Sequence, residues 1–415
     1  MATANKTVLY PVHTSLGATM GGFCGWDMSL WYPTGAVKEH LAVLSGAGLF
    51  DTSHMGVILA EGQGLRLFIN RAVTKDISDL KIGRAGYAIV LDENGYTVDD
   101  TIVYPLYEGA PADRFALVVN AGNTQPVIAH LKQLPGGSDI KWTDLAGELS
   151  KFDLQGPASF KIMKTLVANP ESVFDSLPYF SFKGEFDLSL SKVKLTDGTP
   201  ILLSRTGYTG ELGFEIFLPN DRAVPVWEAL LEAGKPFGTI PCGLAARDSL
   251  RAGAVLPLSH KDIGAWPFIN NPWPFALPYA ADGTFTKDFH GKDALLKAAG
   301  TADYTLPFIG FDPRKVDEHS GKVLQGDREI GIVLSAVADM SLGRVEGQVF
   351  GLGSPEKPAG FNPKGLVCGF VKVAENLPVG TVVSIKDDRR ALKIEIVGDI
   401  RPGRTARWPL KKAGA

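Results

Sequence analysis

Apolar side chains recur at helical spacing in three stretches of the chain. Apolar residues three or four positions apart share one face of a helix, so each stretch predicts an amphipathic helix. The first helix is expected over residues 34–48, and glycines can end it. The second is expected over residues 224–231, with Asn220 or Asp221 as its N-cap, and the third covers residues 244–251.

Alternation of apolar and polar residues predicts strands between these helices. Residues 83–104 alternate on both sides of the Asn-Gly pair at 94–95, which is a strong hairpin signal. Residues 115–120 form a further apolar strand, and residues 195–203 predict another hairpin around the Asp-Gly pair at 197–198. The first three-quarters of the chain is therefore expected to mix helices and strands.

The chain beyond Pro307 consists of short β-like segments that glycine and proline separate, the pattern of a small all-β barrel or sandwich. The expected strands are residues 308–311, 329–335, 365–373, 381–385 and 392–397. Residues 272–304 precede them and are expected to be a linker.

Composition and charge exclude several classes of protein. Of the 415 residues, 45% are hydrophobic and 21% charged, the balance of a packed globular protein. The formal net charge of −3 offers no surplus of positive charge for a nucleic-acid backbone. No apolar run has the length of a membrane span or a secretory signal, so we expect a cytoplasmic protein that binds no membrane.

Cysteine and histidine usage gives no sign of a metal site. Cys24, Cys242 and Cys368 are far apart and are expected to be buried hydrophobic residues. The seven histidines, His54 among them, form no metal-binding pair and are expected to have structural roles. We therefore predict no metal.

The glycine-rich run at 204–216 is the most distinctive candidate site. Its glycines allow close approach of a ligand, and Glu215 lies on the opposite strand face from its two neighbours. Tyr208 could pack against a flat heterocycle, while Glu215 could accept hydrogen bonds from ring N–H groups. A glycine-rich hairpin with a solvated Glu215 is the alternative.

Asp99 and Asp100 form a second candidate. Adjacent residues on a strand point to opposite faces, so only one of the two can face a given pocket. An aspartate among apolar neighbours is partly desolvated, which raises its pKa and suits proton transfer at an amine. A pair of edge or turn aspartates is the alternative.

Arg247 and Arg251 share one face of the third predicted helix. Two guanidinium groups on one face could bind a carboxylate tail in a bidentate manner. A surface network of either arginine with Asp248 explains the same pattern equally well.

Taken in order, these runs resemble the family of the glycine-cleavage T-protein, the aminomethyltransferases. The resemblance covers nearly the whole chain and includes GLFDTSHMG at 48–56, the two aspartates at 99–100, VVNAGN at 118–123, RTGYTGELGFEI at 205–216 and GLAARDSLR at 243–251. Residues 9–20, 23–26, 154–157 and 288–295 are similar as well, and the C-terminal β region matches more loosely.

The resemblance implies an α+β fold of three domains, arranged as a cloverleaf around a central hole that binds folate. The first domain would be discontinuous, comprising residues 1–55 and 150–271, with the second domain inserted as residues 56–149. A linker over residues 272–304 would lead to a C-terminal β-barrel domain, residues 305–415.

The resemblance also implies a tetrahydrofolate-dependent one-carbon transferase. Glu215 would bind the edge of the pterin beside Tyr208, Arg247 would meet the glutamate tail, and Asp100 would be the catalytic acid near the reactive nitrogens. The other expected wall residues are Met55, Tyr87, Tyr104 and Asn120. The one-carbon donor would be a lipoylated H-protein or a small molecule.

One segment departs from the family pattern. Pro274 stands where the family carries glutamate and Tyr279 where it carries tryptophan, within an aromatic segment over residues 264–279. This segment could pack between domains or line a substrate pocket. The second possibility keeps open a demethylase of a sulfonium, amine or aryl methyl ether that yields 5-methyltetrahydrofolate. A non-catalytic folate-binding module is a third hypothesis, against which the absence of cysteine from residues 205–211 counts.

Overall fold

The computed structural model describes residues 4–413 and mixes short helices with strands. Its helices are α1 Tyr10–Ser15, α2 Ala36–Ser45, α3 Leu65–Ala72, α4 Thr124–Gln133, α5 Ser159–Leu166, α6 Pro170–Phe174, α7 Ala223–Gly234, α8 Leu244–Gly253, α9 Lys292–Ala298 and α10 Leu410–Ala413. Within residues 4–413, no helix combines the length and the apolar character that crossing a bilayer requires.

The strands outnumber the helices, and most of them fall into three main sheets. The strands are β1 Thr19–Phe23, β2 Trp26–Trp31, β3 Gly48–Asp51, β4 Gly56–Gly62, β5 Gly86–Leu91, β6 Thr97–Tyr107, β7 Asp113–Val119, β8 Lys141–Asp144, β9 Leu149–Gln155, β10 Phe182–Lys183, β11 Leu202–Ser204, β12 Gly213–Pro219, β13 Ile240–Pro241, β14 Tyr304–Gly310, β15 Lys322–Gln325, β16 Arg328–Asp339, β17 Leu342–Val345, β18 Gln348–Gly351, β19 Leu366–Val373, β20 Val382–Lys386 and β21 Ala391–Ile396. Strands β1 with β2 and β17 with β18 form two small sheets.

Two open sheets and one closed barrel contain most of the strands. A six-stranded sheet has the order β10-β11-β12-β9-β3-β13, and a five-stranded sheet has the order β5-β6-β7-β4-β8. Strands β14, β19, β16, β15, β20 and β21 close an antiparallel barrel. The expected α+β class and the C-terminal barrel are therefore confirmed, whereas the domain boundaries stay a prediction.

The pairing of β9 with β12 aligns the polar side chains that matter for the site. Phe152 and Leu154 alternate with Lys151, Asp153 and Gln155 along β9, and the first two belong to the apolar core. Because successive side chains of a strand point to opposite faces, the three polar residues share the face away from that core. Both faces of β9 are buried: one packs into the apolar core, and the other carries the polar side chains of the site.

The segment that departs from the family pattern mainly packs between the sheets. Phe268 and Trp273 are almost completely buried in one cluster with Leu91 of the second sheet and Phe370 of the barrel. The indole Nε1 of Trp273 donates to the carbonyl of Val255 at 2.9 Å. These two aromatic residues therefore pack between the five-stranded sheet and the barrel. Large rings buried against both of these elements fix the position of the sheet relative to the barrel.

Several local predictions are corrected by the structure. Helix α7 begins after Arg222, because a 3-10 turn occupies the expected capping positions. Asn220 does not cap the helix; its Oδ1 instead accepts from Ser150 at 2.7 Å. The expected linker contains helix α9, and Cys24 is exposed, whereas Cys242 and Cys368 are buried as expected.

Candidate functional site

A cavity of about 1260 Å³ lies between the six-stranded sheet, the five-stranded sheet, helix α8 and residues 398–407, which follow the barrel. It is larger than the ~300–1,000 Å³ typical of small-molecule sites. Seven of the eight residues expected at the site line it: Met55, Tyr87, Asp100, Asn120, Tyr208, Glu215 and Arg247. The fold therefore brings together residues that are up to 192 positions apart in the chain.

Tyr104 is the exception among the expected wall residues. It is completely buried and does not belong to the lining of the cavity. Its ring packs against Phe182 and Phe186, and its hydroxyl lies 3.2 Å from Oγ of Ser204. The expectation of a wall position for Tyr104 is wrong because its side chain lies in the core between the two sheets.

Asp100, which is half-buried, forms a pair of carboxylates with the buried Asp99 and lies on the cavity side of that pair. The Tyr87 hydroxyl donates to Oδ2 of Asp100 at 3.0 Å, and Nδ2 of Asn120 donates to its Oδ1 at 2.6 Å. The same amide nitrogen lies 2.7 Å from Oδ1 of Asp99, which also accepts from the Ser259 hydroxyl at 3.0 Å. Of the two aspartates, only Asp100 lines the cavity, as the alternation along a strand requires.

The environment of this pair favours partial protonation of Asp100 near neutral pH. Burial raises the pKa of Asp100, and the negative charge of Asp99 raises it further, to about 6. The hydrogen bonds from Tyr87 and Asn120 act in the opposite direction. Burial also raises the pKa of Asp99. A carboxyl group with a pKa near 6 can both accept and donate a proton at physiological pH.

Glu215 is held in place by a buried lysine. Oε1 of Glu215 accepts from Nζ of Lys151, and its Oε2 accepts from the Thr206 hydroxyl. Nζ of Lys151 also donates to Oδ1 of Asp153 at 2.6 Å. Because a carboxylate has about four lone-pair positions, Glu215 can still accept hydrogen bonds from a ligand in the cavity. The alternative of a solvated Glu215 is wrong, since only 5% of this residue is exposed.

Arg247 continues the same network on helix α8. Its Nη1 donates to Oδ2 of Asp153 at 2.7 Å, and its guanidinium lies 4.8 Å from the centre of the Tyr208 ring. Burial alone would raise the pKa of Asp153, but Lys151 and Arg247 lower it to about 2. Tyr208 is positioned from its other end, where its hydroxyl donates to the carbonyl of Pro257.

Arg251 does not join Arg247 as a second clamp. Its guanidinium is completely buried and donates to Asp262 and, at 2.7–2.8 Å, to Asp248. A further contact, at 3.1 Å, links it to the Ser335 hydroxyl of the barrel. The predicted Arg251–Asp248 pair is thus confirmed, and the hypothesis of two arginines binding one carboxylate is wrong.

The glycines of the 204–216 run serve packing as well as conformation. A Cβ atom on Gly207 or Gly213 would collide with the side chain of Gln155, which crosses beneath the run. Gly210 has a φ of +77°, in the left-handed region that favours glycine. At Gly207 and Gly213, the requirement for glycine comes from this neighbouring strand rather than from a ligand.

Neither Lys151, which binds Glu215, nor His54, which lines the cavity, was predicted as a site residue from the sequence. Lys151 gave a usable signal, because it alternates with Asp153 and Gln155 on one face of a strand. His54 was expected to be structural but lines the cavity, with its Nδ1 buried and unpartnered. Burial and the charge of Arg247 lower the pKa of His54 to about 4, so the imidazole is neutral at pH 7.

The donor set suits an organic ligand rather than a metal. Among residues 4–413, no group of three or more histidine, cysteine, aspartate or glutamate side chains could hold a metal ion. The walls of the cavity instead combine aromatic rings, among them Tyr87, Tyr208 and Phe275, with several carboxylates, Asp100 and Glu215 included. Such a lining fits a flat heterocycle that carries hydrogen-bond donors.

Comparisons with known proteins give one consistent family. Residues 9–266 match the family model of the GCVT N-terminal domain. The aminomethyltransferase of Streptomyces avermitilis is 38% identical to this chain, and the match covers 81% of this chain and 87% of that protein. The aminomethyltransferase of Symbiobacterium thermophilum is 35% identical, and the match covers 94% of this chain and 96% of that protein. A crystal structure of aminomethyltransferase T of the glycine cleavage system from Bartonella henselae superposes with a TM-score of 0.74 at 29% identity, covering 95% of this chain and 96% of that one.

Proposed function

The chain belongs to the aminomethyltransferase family of the glycine-cleavage T-protein, and from this premise we propose how its cavity performs one-carbon transfer to tetrahydrofolate. The protein is a transferase of this family, and tetrahydrofolate is its one-carbon acceptor. The site assignment rests on one observation: Asp100 lies in the five-stranded sheet and Glu215 in the six-stranded sheet, and both line the same cavity.

Glu215 and Tyr208 are proposed to hold the pterin ring. The carboxylate of Glu215 would accept hydrogen bonds from the edge of the ring, and the hydrogen bond from Lys151 would keep that carboxylate oriented. Tyr208 would pack against the ring, with Met55 as a further part of the wall. Arg247, with one amino group committed to Asp153, retains other donors for a carboxylate of the substrate.

Asp100 is proposed to exchange a proton at the nitrogen that receives the carbon. Its hydrogen bonds from Tyr87 and Asn120 fix the carboxyl group at the cavity wall. A pKa of about 6 lets Asp100 carry the proton in either direction at little cost.

The balanced reaction transfers one carbon without net oxidation. When bound, tetrahydrofolate supplies two nitrogens that take up a methylene group. The carbon–sulfur and carbon–nitrogen bonds of an aminomethyl thioether break, and two carbon–nitrogen bonds form. The two displaced protons leave as part of ammonia and of a thiol. We propose that the donor is the aminomethylated, lipoylated H-protein and that the reaction takes place in the cytoplasm.

The comparisons favour this reaction over the demethylase hypothesis. The similar proteins from Streptomyces avermitilis and Symbiobacterium thermophilum are both aminomethyltransferases, and each match covers most of this chain. The aromatic segment gives the demethylase little support, since Phe268 and Trp273 lie in the core. Phe275 is different, because it is 47% exposed, lines the cavity and contacts the Tyr87 ring at 5.8 Å between centroids.

A turnover experiment tests the proposal. The protein is mixed with tetrahydrofolate and either aminomethylated H-protein or a panel of methylated sulfonium, amine and aryl ether compounds. We expect 5,10-methylenetetrahydrofolate and ammonia with the H-protein alone. Formation of 5-methyltetrahydrofolate from a small molecule would support the demethylase instead. Folate binding without turnover of any donor would support a non-catalytic module.

A further inference from the structure

The ring of Phe275 is partly uncovered on the wall of the cavity. Phe275 is 47% exposed and lines the cavity together with Pro272. Trp273, two positions before it, and Ala276, next to it, are completely buried. The fold therefore anchors the chain on both sides of Phe275 and leaves about half of this residue without a packing partner.

The backbone around Phe275 is fixed by hydrogen bonds. Residues Pro274–Ala276 form a 3-10 turn, in which the amide of Ala276 donates to the carbonyl of Trp273 at 3.0 Å. The amide of Trp273 donates to Oδ1 of Asn271 at 2.9 Å, and its indole lies in the core between the five-stranded sheet and the barrel. The position of Phe275 on the cavity wall is thus determined by the fold.

Phe275 lies close to the proposed proton-transfer group. The centre of its ring is 5.8 Å from the centre of the Tyr87 ring, at an interplanar angle of 55°. The Tyr87 hydroxyl in turn donates to Oδ2 of Asp100 at 3.0 Å. The two rings and the carboxyl group therefore form one continuous part of the wall.

The wall beside Asp100 is largely apolar. In the five-stranded sheet, Tyr87 of β5 is paired with Ile102 of β6, and Ile102 is paired with Val118 of β7. All three side chains line the cavity, and Phe275 extends this row beyond Tyr87. Residues two apart on a strand share a face, so Asp100 lies next to Ile102 on the same face. An apolar group that binds along this row is therefore beside Asp100.

The polar groups proposed to hold the folate belong to other elements. Glu215 lies in the six-stranded sheet, and Arg247 lies on helix α8. The one-carbon donor has to bring its carbon to Asp100, where the folate nitrogens are proposed to lie. The proposed folate contacts leave Phe275 free to bind the part of the donor that carries this carbon.

We propose that Phe275 is a specificity-determining residue that binds the thioether and the hydrocarbon chain of the one-carbon donor. This inference rests on the proposed function and names a residue that selects the donor. Aromatic rings make favourable contacts with a thioether sulfur, and burial of methylene groups against a ring adds a hydrophobic contribution. A donor without such a chain leaves Phe275 uncovered and binds more weakly.

Steady-state turnover of the full-length protein with aminomethylated H-protein tests the proposal. The KM for this donor is measured together with the inhibition constant of free dihydrolipoamide, which reproduces the donor's arm without the carrier protein. For Phe275→Ala, we expect both constants to rise about tenfold, because the arm loses its apolar and sulfur contacts. The kcat and the dissociation constant of tetrahydrofolate should stay within about twofold of the unmodified protein, since neither depends on these contacts.

Two further variants serve as controls. Phe275→Leu keeps an apolar side chain at the wall and should recover most of the loss. Phe311→Ala removes a phenylalanine of similar exposure, 49%, that does not belong to the lining of the cavity, and it should leave both constants unchanged. An unchanged folate affinity of Phe275→Ala also shows that this variant is folded.

Each other outcome has a distinct meaning. Constants that do not change in Phe275→Ala, or that rise equally in Phe311→Ala, overturn the role of Phe275. A higher KM without a higher inhibition constant assigns Phe275 to the carrier protein, and weaker folate binding assigns it to the folate; each overturns the proposal. These outcomes leave the proposed function intact. An unmodified protein that turns over no aminomethylated H-protein overturns the proposed function itself, and this inference with it.

Discussion

Replacing Asp100 with asparagine removes the proposed proton-transfer group and keeps the shape of the side chain. In the unmodified protein, the pKa of about 6 makes Asp100 about nine-tenths ionised at pH 7 and about one-tenth ionised at pH 5. If the ionised form is the active one, the turnover rate should fall nearly tenfold between these pH values. Loss of a general acid–base group costs about 10²–10⁴-fold in rate.

The assay follows 5,10-methylenetetrahydrofolate formation from aminomethylated H-protein between pH 5 and 8. For Asp100→Asn, we expect a rate reduced by about 10²–10⁴-fold, with the acid limb near pH 6 abolished. Folate affinity, measured by calorimetry, should change far less. Asp388→Asn is the control, because it removes an exposed carboxylate of the barrel. A variant with normal turnover and an unchanged acid limb would remove Asp100 from the mechanism.

Three further predictions concern the carboxylate pair and the stability of the fold. Asp99→Asn removes a negative charge that raises the pKa of Asp100, so the acid limb of the rate profile should move to lower pH; an unmoved limb would show that the two are not coupled. Lys151→Met leaves the buried carboxylates of Asp153 and Glu215 without the cation that they share, and it should lower the free energy of unfolding in urea by about 3 kcal/mol. The control Lys141→Met breaks an exposed ion pair and should lower it by less than ~1 kcal/mol. Equal losses in the two variants would contradict this prediction. Trp273→Ala should cost about 3–5 kcal/mol of unfolding free energy, and a loss below ~1 kcal/mol would contradict its place in the core between the sheets.

The local elements were predictable where short-range signals determine them. Residues 244–251 carry an amphipathic pattern, and the structure has helix α8 there. The Asn-Gly pair at 94–95 joins β5 to β6 as expected. The capping of α7 was not predictable, because Asn220 is used by Ser150, a partner 70 residues away in the chain.

The site was predictable only through the resemblance to a family. Single motifs could not bring Asp100 and Glu215 into one cavity, because that proximity depends on how two sheets pack. The same limit explains the error at Tyr104: Asp100 and Ile102 of the same strand line the cavity, whereas the side chain of Tyr104 enters the core. Cys24 is exposed because it lies in a tight turn, where its φ is +47°. Cysteine rarely adopts this conformation, so the residue type does not predict it.

Three arginines that line the cavity illustrate a different limit. Arg84, Arg205 and Arg407 are far apart in sequence, and the net charge of −3 gives no sign of a local excess of positive charge. Only the fold reveals that they meet at one cavity and lack carboxylate partners. Unbalanced charge at a cavity is therefore a signal that a structure can give and a sequence cannot.

A crystal structure of this protein with tetrahydrofolate bound would locate the pterin relative to both carboxylates. We predict that the pterin edge lies within hydrogen-bond distance of the Glu215 carboxylate and that the nitrogens that accept the carbon lie beside Asp100. Tetrahydrofolate bound elsewhere on the protein, or bound in the cavity with both carboxylates out of contact, would contradict it.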